Sequence, residues 1–348
     1  MEIKEILKQE VLEIDKLIEK SIPRNCKGWI NKTLGNSKWE YDEKACNESI
    51  TNPIWNLLDR GGKRWRPFLM KFSYFATGGK ENINEFLSIP EIIHNGTLMI
   101  DDIEDSSDIR RGKECIHKIY GNDIAINAGN MMYYLPTLVL TKNNSLDLET
   151  KVKIYELINE EMVKLHFGQG MDIFWHKGNK IPNEKQYLQM CAFKTGTLSR
   201  MSAKLGAILA GATDSQIDAL GNFAESIGIA FQIQDDILNI TPSKNWGKDF
   251  GDDINEGKRT LLIIKALEKN SENDKDDLIG ILNMQTKNKV LISEAIKIIK
   301  KSNAIEYSFN LAKKIVNDAW EKLESTLEES TAKNKLKLLS DFVINRDI

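Results

Sequence analysis

Apolar residues recur at i, i+3, i+4 spacing along almost the whole chain, and the strict alternation that marks half-buried strands is nearly absent. With only seven prolines to interrupt it, this pattern predicts an all-α protein. It places helices at 2–20, 52–60, 64–77, 84–107, 123–141, 147–174, 184–211, 214–240, 258–269, 288–301, 304–327 and 331–345. Most connectors are short. Three are longer: 21–51, rich in Trp, Asn and Lys; 175–183, centred on His176-Lys177-Gly178-Asn179-Lys180-Ile181-Pro182; and 241–257, crowded with Gly, Asp and Lys. Long connections in compact domains often carry function. The polar, charged stretch 270–287 reads instead as a solvated surface connection. No solenoid period is present, and the one repetition is helix, acidic cluster, basic loop, once in each half. The expected organisation is an N-terminal helix and irregular segment, 1–51, packed on one large domain, 52–348.

The repeated acidic element carries the most chemistry. Asp101-Asp102-Ile103-Glu104-Asp105 and Asp235-Asp236-Ile237-Leu238-Asn239 each close a helical stretch. Residues four apart on a helix share a face with β-carbons about 5–6 Å apart, so Asp101 with Asp105, and Asp235 with Asn239, project oxygens the same way. Clustered oxygen ligands that leave room for water and phosphate suit Mg²⁺. A solvated helix surface is the competing explanation. Against it stand the apolar flanks, Leu87–Ile93 and Ile227–Phe231, because a carboxylate that ends in an apolar setting without a partner is expensive. Basic residues accompany the acids: Gly61-Gly62-Lys63-Arg64-Trp65-Arg66 opens a helix, Arg110-Arg111 follows the first cluster, Lys194 interrupts an apolar pattern, and Lys248 and Lys258 bracket a Gly/Asp-rich loop after the second. Singly, each is more often a cap or a structural ion pair; as a set they suit diphosphates.

Composition removes other classes. Among 348 residues, 48 are basic and 51 acidic, a net charge of −3 that exerts no general pull toward nucleic acid or anionic membrane. The first residues are charged and amphipathic, unlike a signal peptide, and no apolar run reaches membrane length, so a cytoplasmic protein without stable membrane insertion is expected. The four cysteines, Cys26, Cys46, Cys115 and Cys191, lack metal-site spacing and read as free thiols. Sequons at Asn31, Asn47, Asn95, Asn143 and Asn239 follow from an Asn-rich composition.

The string His94-Asn95-Gly96-Thr97-Leu98-Met99-Ile100-Asp101-Asp102-Ile103-Glu104-Asp105-Ser106-Ser107-Asp108-Ile109-Arg110-Arg111-Gly112 resembles the first aspartate-rich region of trans-isoprenyl diphosphate synthases. Gln169-Gly170-Met171-Asp172, Lys194-Thr195-Gly196, Phe231-Gln232-Ile233-Gln234-Asp235-Asp236 and Glu256-Gly257-Lys258 follow in the family's order, and Ile126-Asn127-Ala128 with Asn239 make the chain most similar to the eukaryotic type of geranylgeranyl diphosphate synthase. The departures are segment 21–51 and a weakly matching C-terminal third.

The resemblance implies the isoprenoid synthase fold, a single large helical bundle around a central cavity. It implies head-to-tail condensation of isopentenyl diphosphate with allylic diphosphates (dimethylallyl, geranyl, farnesyl) by a homodimer using Mg²⁺, three ions with substrate bound. Metal ligands are then Asp101, Asp105 and Asp235, with Asp102 and Asp236 supporting those ligands from behind or orienting a lysine. Arg110, Lys194, Lys248 and Lys258 hold the allylic diphosphate, and Lys63, Arg66, His94 and Arg111 the isopentenyl one. Thr195 and Gln232 offer dipoles, and Phe231 a π face, to the allylic cation. In this family bulky aromatics four or five residues before the first Asp stop growth at fifteen carbons. Thr97 and Gly96 stand there, so the tail channel stays open as far as Ile93 or, from the next helix, Met132, Tyr133 or Tyr134, a depth that points to twenty carbons. Competing products are farnesyl and C25 or longer diphosphates. A terpene cyclase would not need Lys63, Arg66 and His94, and a non-catalytic subunit of a heteromeric synthase would commonly lose its acidic ligands.

Overall fold

Ile6, Leu7, Ile14 and Ile18 recur on one face of the first helix, α1 (Ile3–Ser21), and all four are buried. The computed structural model describes residues 3–241 and 251–344. Within them the chain is all-α apart from one two-stranded hairpin, and it divides into two compact units, residues 1–71 with 79–155 and residues 72–78 with 156–348. Position 51 lies inside the first unit, where the turn Asn47–Thr51 runs directly into the next helix.

In the first unit α1 is followed by α2 (Asn52–Leu58), by the start of α3 (Trp65–Ala76), by α4 (Ser88–Glu104) and by α5 (Asn122–Tyr134). The apolar faces of α1, α2, α4 and α5 meet in one core that includes Ile14, Ile18, Ile54, Trp55, Leu57, Ile92, Met99, Ala125, Ala128 and Met132. Segment 21–51 is tied down by specific bonds: Trp55 Nε1 donates to the Ile22 carbonyl at 3.1 Å, and Arg24 forks onto Asp59 with both bonds at 2.9 Å. The predicted helix 123–141 is shorter because Pro136 sits in a tight turn, Leu135–Thr137. α4 and α5 cross at glycine. A Cβ at Gly96 would lie 2.8 Å from Met132 Cβ and 2.9 Å from the Gly129 carbonyl oxygen.

In the second unit the end of α6 (Leu148–Phe174) precedes α7 (Glu184–Cys191) and α8 (Thr197–Leu209), which the π-turn Ala192–Gly196 joins into one rod. The long α9 (Asp214–Ile240) packs on α8 and on α13 (Ala304–Glu324), where Phe223 meets Trp320 edge-on at 5.3 Å. Gly196 and Gly228 form a close backbone approach, since a Cβ at Gly228 would reach 2.6 Å from Gly196 Cα. α10 (Leu261–Lys269), α12 (Lys289–Lys301) and α14 (Thr331–Ile344) complete the unit with α11 (Glu272–Met284).

α11 corrects the expectation for 270–287. Ser271 caps its first turn by accepting from the Asp274 N–H, and Leu278, Ile281 and Leu282 are buried. The run of Glu, Asp and Lys at its start masks a three-residue apolar stripe. All four cysteines are free thiols, and Asn95, Asn143 and Asn239 of the sequons are buried.

Candidate active site

α4 ends in the first acidic cluster, with Asp101 21 % exposed in its side chain and Asp102 1 %. The chain then reverses through the hairpin β1 (Ile109–Arg110) and β2 (Lys113–Glu114), whose two-residue loop is Arg111-Gly112. Both loop residues have positive φ, 52° and 74°, as a type I′ turn requires. This turn sends its two arginines to different partners. Arg110 Nε donates to Asp102 Oδ1 at 2.7 Å and Nη2 reaches Asp101 Oδ2 at 3.3 Å. Burial lowers the Arg110 guanidinium's pKa, but Asp102 and then Asp101 outweigh it and hold the pKa above its ordinary value. Burial likewise pushes the Asp102 carboxyl up against the opposing pull of Arg110. Asp102 therefore orients an arginine rather than a lysine, while Asp101 and Asp105 keep the outer positions.

The strained Arg111 points the other way and donates to the Leu57 carbonyl at 3.4 Å and to the Gly61 carbonyl. Burial, then the neighbouring Arg64, Arg110 and Arg60 against the pull of Glu91, lowers its pKa to about 10. Arg64, which no spacing singled out, pins this loop: it is 2 % exposed in its side chain and bonds Glu91 at 2.8 Å and Asp15 at 2.9 Å. Gly62 is required here, because a Cβ would sit 2.8 Å from Arg64 Nη1 and 3.4 Å from Arg111 Nη2. Arg66 is buried with its guanidinium 4.5 Å above the Trp65 ring, and Lys63 stays exposed. His94 completes the group. Burial first, then Arg66, Arg111, Arg64 and Arg110, holds its pKa well below the ordinary histidine value, so the imidazole is neutral at pH 7 and able to donate. The first unit thus gathers Arg66 and Arg111 around His94, on the helix that ends in Asp101 and Asp105, an arrangement suited to an anion beside a cation.

Gly96 does not line an open channel. Its missing side chain faces α5, where Met132, the Gly129 carbonyl and, at 3.3 Å, Tyr133 Cε1 fill the space. Thr97 is half-buried, its hydroxyl turned back on the His94 carbonyl at 2.8 Å, and Ile93 is fully buried.

In the second unit α9 carries Asp235, half-buried, beside the fully buried Asp236. Tyr187 OH donates to Asp236 Oδ2 at 2.6 Å and Gln232 Nε2 to Oδ1 at 2.9 Å, while Thr195 Oγ1 donates to Gln232 Oε1 at 2.8 Å. Burial and then the charge of Asp253 raise Asp236 to about 8 against these two hydrogen bonds. Its hydrogen-bond partners among the described residues are a tyrosine and an amide, and Lys258 lines the same small cavity. Tyr187 carries no signal in the sequence, since it lies 49 positions from Asp236. Asn239 is buried and is no partner ligand for Asp235: its Oδ1 accepts from the Asp253 N–H at 3.3 Å and its backbone oxygen from Gly251 at 3.1 Å. Lys194, on the π-turn, bonds Asp172 of α6 at 2.7 Å. Burial acts to raise Asp172, and Lys194 followed by Lys258 overcomes it and holds the carboxyl below its ordinary value. Lys258 pairs with Glu256 at 2.6 Å. Lys248 lies outside the described residues. Among the described residues no three His, Cys, Asp or Glu side chains converge to hold a metal by themselves. The candidate ligands are carboxylates only, a donor set that fits Mg²⁺, which keeps waters and takes phosphate oxygens.

The polyprenyl synthetase family model matches residues 47–299. The chain belongs to the polyprenyl synthetase family. It is 35 % identical over 302 residues to a short chain isoprenyl diphosphate synthase of Methanothermobacter thermautotrophicus, covering 86 % of this chain and 91 % of the relative. It is 32 % identical over 279 residues to a geranylgeranyl pyrophosphate synthase of Dictyostelium discoideum, covering 79 % and 88 %. The crystal structure of a geranylgeranyl pyrophosphate synthetase from Pyrococcus horikoshii superposes with a TM-score of 0.85 at 31 % identity, covering 99 % and 98 % of the two chains. The protein therefore has the all-α isoprenoid synthase fold and is a prenyltransferase of a magnesium-dependent family. No helix among the described residues is long and apolar enough to cross a membrane.

Proposed function

We propose that this prenyltransferase condenses isopentenyl diphosphate with dimethylallyl, geranyl and farnesyl diphosphates to give geranylgeranyl diphosphate. The observation that supports it best is the cluster of Arg66, Arg111 and neutral His94 on the helix that ends in Asp101 and Asp105: a second, metal-independent diphosphate site is needed to join two substrates and not to cyclise one. Mg²⁺, three ions with substrate bound and held by Asp101, Asp105 and Asp235, would supply Lewis-acid neutralisation of the leaving diphosphate.

The chain's own groups do the rest. Lys194, held by Asp172, and Lys258 offer fixed positive charge where the diphosphate departs, the kind of preorganised contribution that is typically largest in catalysis. Lys248 is assigned the same task, and Arg110 contributes through its grip on the first acidic cluster. His94 donates an N–H to isopentenyl diphosphate without adding charge, alongside Lys63, Arg66 and Arg111. Thr195 and Gln232, locked by their mutual hydrogen bond, turn oxygen dipoles to the allylic cation, with Phe231 beside them. The departing diphosphate accepts the proton. The small Thr97 leaves room for the growing tail, and Ile93, one turn deeper on the same face, bounds it. The working form is a cytoplasmic homodimer.

The test is direct. The purified chain with Mg²⁺, isopentenyl diphosphate and farnesyl diphosphate should yield a twenty-carbon alcohol after dephosphorylation, detected by mass spectrometry. No consumption of farnesyl diphosphate, or release of mainly longer products, would overturn the assignment. Light scattering checks the dimer.

A further inference from the structure

Three segments of the second unit meet where α6 gives way to the π-turn Trp175–Asn179, the motif turn Glu256-Gly257-Lys258 passes, and α11 ends. Two glycines make the approach possible. A Cβ at Gly257 (φ 73°) would lie 2.8 Å from the Leu282 carbonyl oxygen and 3.1 Å from that of His176, and one at Gly178 (φ 82°) would lie 3.2 Å from Asn283 Oδ1. At the centre stands Gln285, the left-handed C-cap of α11 (φ 45°), whose amide nitrogen donates to the His176 carbonyl at 3.2 Å and the Glu256 carbonyl at 3.1 Å. One exposed side chain thus bonds both the segment that follows Asp172 and the turn that bears Lys258.

Arg259 adds a second clamp. It is 2 % exposed, and among the described residues its guanidinium meets no carboxylate; it donates to the Gly257 carbonyl at 2.6 Å and to Asn283 Oδ1 at 2.5 Å. A buried cation held only by neutral oxygens, with its Nε left unpaired among the described residues, is costly to keep, and what it holds in register is the same turn. Lys258 is further anchored by its own N–H on the Asp253 carbonyl at 2.8 Å.

We infer that the C-terminal end of α11, through Gln285 with Asn283 and Arg259, is a positioning device that sets Lys258 relative to the Lys194–Asp172 pair and so shapes the allylic diphosphate site. The inference rests on the prenyl-transfer reading for its substrate. A helix that looks like a solvated connection thereby reaches the chemistry without touching it.

Gln285→Gly separates positioning from mere stability. Glycine is favoured at a left-handed helix cap, which offsets the loss of both carboxamide bonds, so the variant should melt close to the wild-type temperature. The expected result is about tenfold weaker binding of inorganic pyrophosphate with Mg²⁺ by calorimetry, comparable to loss of a ligand-orienting partner, a raised KM for the allylic substrate and an unchanged KM for isopentenyl diphosphate. Affinity within twofold of wild type would overturn the inference, as would weaker binding accompanied by a melting temperature several degrees lower. A wild-type chain that binds pyrophosphate but forms no prenyl product would overturn the reaction assignment alone, and the binding difference would still decide the role of Gln285.

Discussion

Replacing Gly96 by alanine adds one methyl group at the closest approach of α4 and α5. Its carbon would fall 2.8 Å from Met132 Cβ, 2.9 Å from the Gly129 oxygen and 3.3 Å from Tyr133 Cε1, where about 3.5–4.0 Å is comfortable. Neither a backbone oxygen nor a Cβ can rotate away, so the helices must separate by on the order of 0.7–1 Å. Overpacking of this kind costs about 1–3 kcal/mol, and alanine's better helix propensity returns roughly 0.5–1 kcal/mol. The net loss is on the order of 1–2 kcal/mol, which at roughly 2–4 °C per kcal/mol predicts a melting temperature ~2–8 °C lower. Because α4 carries Asp101 and Asp105 at its end, turnover should also fall, by up to about a hundredfold for a displacement near 1 Å, with product length unchanged. Differential scanning calorimetry and mass spectrometry of the dephosphorylated products measure both. Thr97→Phe, at a half-buried position on the Asp101 face, is the contrasting case: it should shift product toward fifteen carbons. A Gly96→Ala protein that melts within 1 °C of wild type, or that shortens the product, would show that Gly96 faces the tail and that the packing argument is wrong.

Lys194→Met should lower turnover by orders of magnitude and also reduce stability, because Asp172, 9 % exposed in its side chain, loses its ion-pair partner; unchanged turnover in single-turnover assays would exclude Lys194 from the site. Tyr187→Phe removes the 2.6 Å donor to Asp236 and should cost about 1.5–3 kcal/mol in urea denaturation, with a lower kcat; wild-type behaviour in both would sink the Thr195–Gln232–Asp236–Tyr187 chain. His94 has a folded pKa below its unfolded value near 6.5, so below that pH the unfolded chain binds the extra proton and stability falls as pH drops. His94→Gln should therefore flatten the loss of stability between about pH 7 and pH 5, and equal slopes for the two proteins would contradict the assignment.

The carboxylate faces and their basic companions were legible because each is a local spacing on one helix. Asp101 and Asp105 are one turn apart, and Arg110 follows within a hairpin's length. What the spacing could not reveal was which partner each charge would take. Arg64 and Arg66 are two residues apart, yet one is consumed by Glu91 and Asp15 and the other rests on Trp65. Asn239 repeats the position of Asp105 but is turned inward by the Asp253 N–H. Gly96 looks like vacant space in a linear string and is filled by residues more than thirty positions away. α11 was missed because its acidic first turn outweighs its three buried apolar residues in any window average. Element type is written locally; pairing is settled by packing.

Both acidic clusters lie toward the C-terminal end of their helices, α4 ending at Glu104 and α9 at Ile240. Aligned peptide dipoles leave about half a negative charge at that pole, so the carboxylates sit where the backbone already repels them. In α4 the returning Arg110 offsets part of this from within the chain. Any cation that binds the clusters relieves the remainder and stabilises the folded state by mass action. The melting temperature of this enzyme is thereby a gauge of its ionic surroundings: divalent ions should raise it before any substrate is added, and chelation should lower it again.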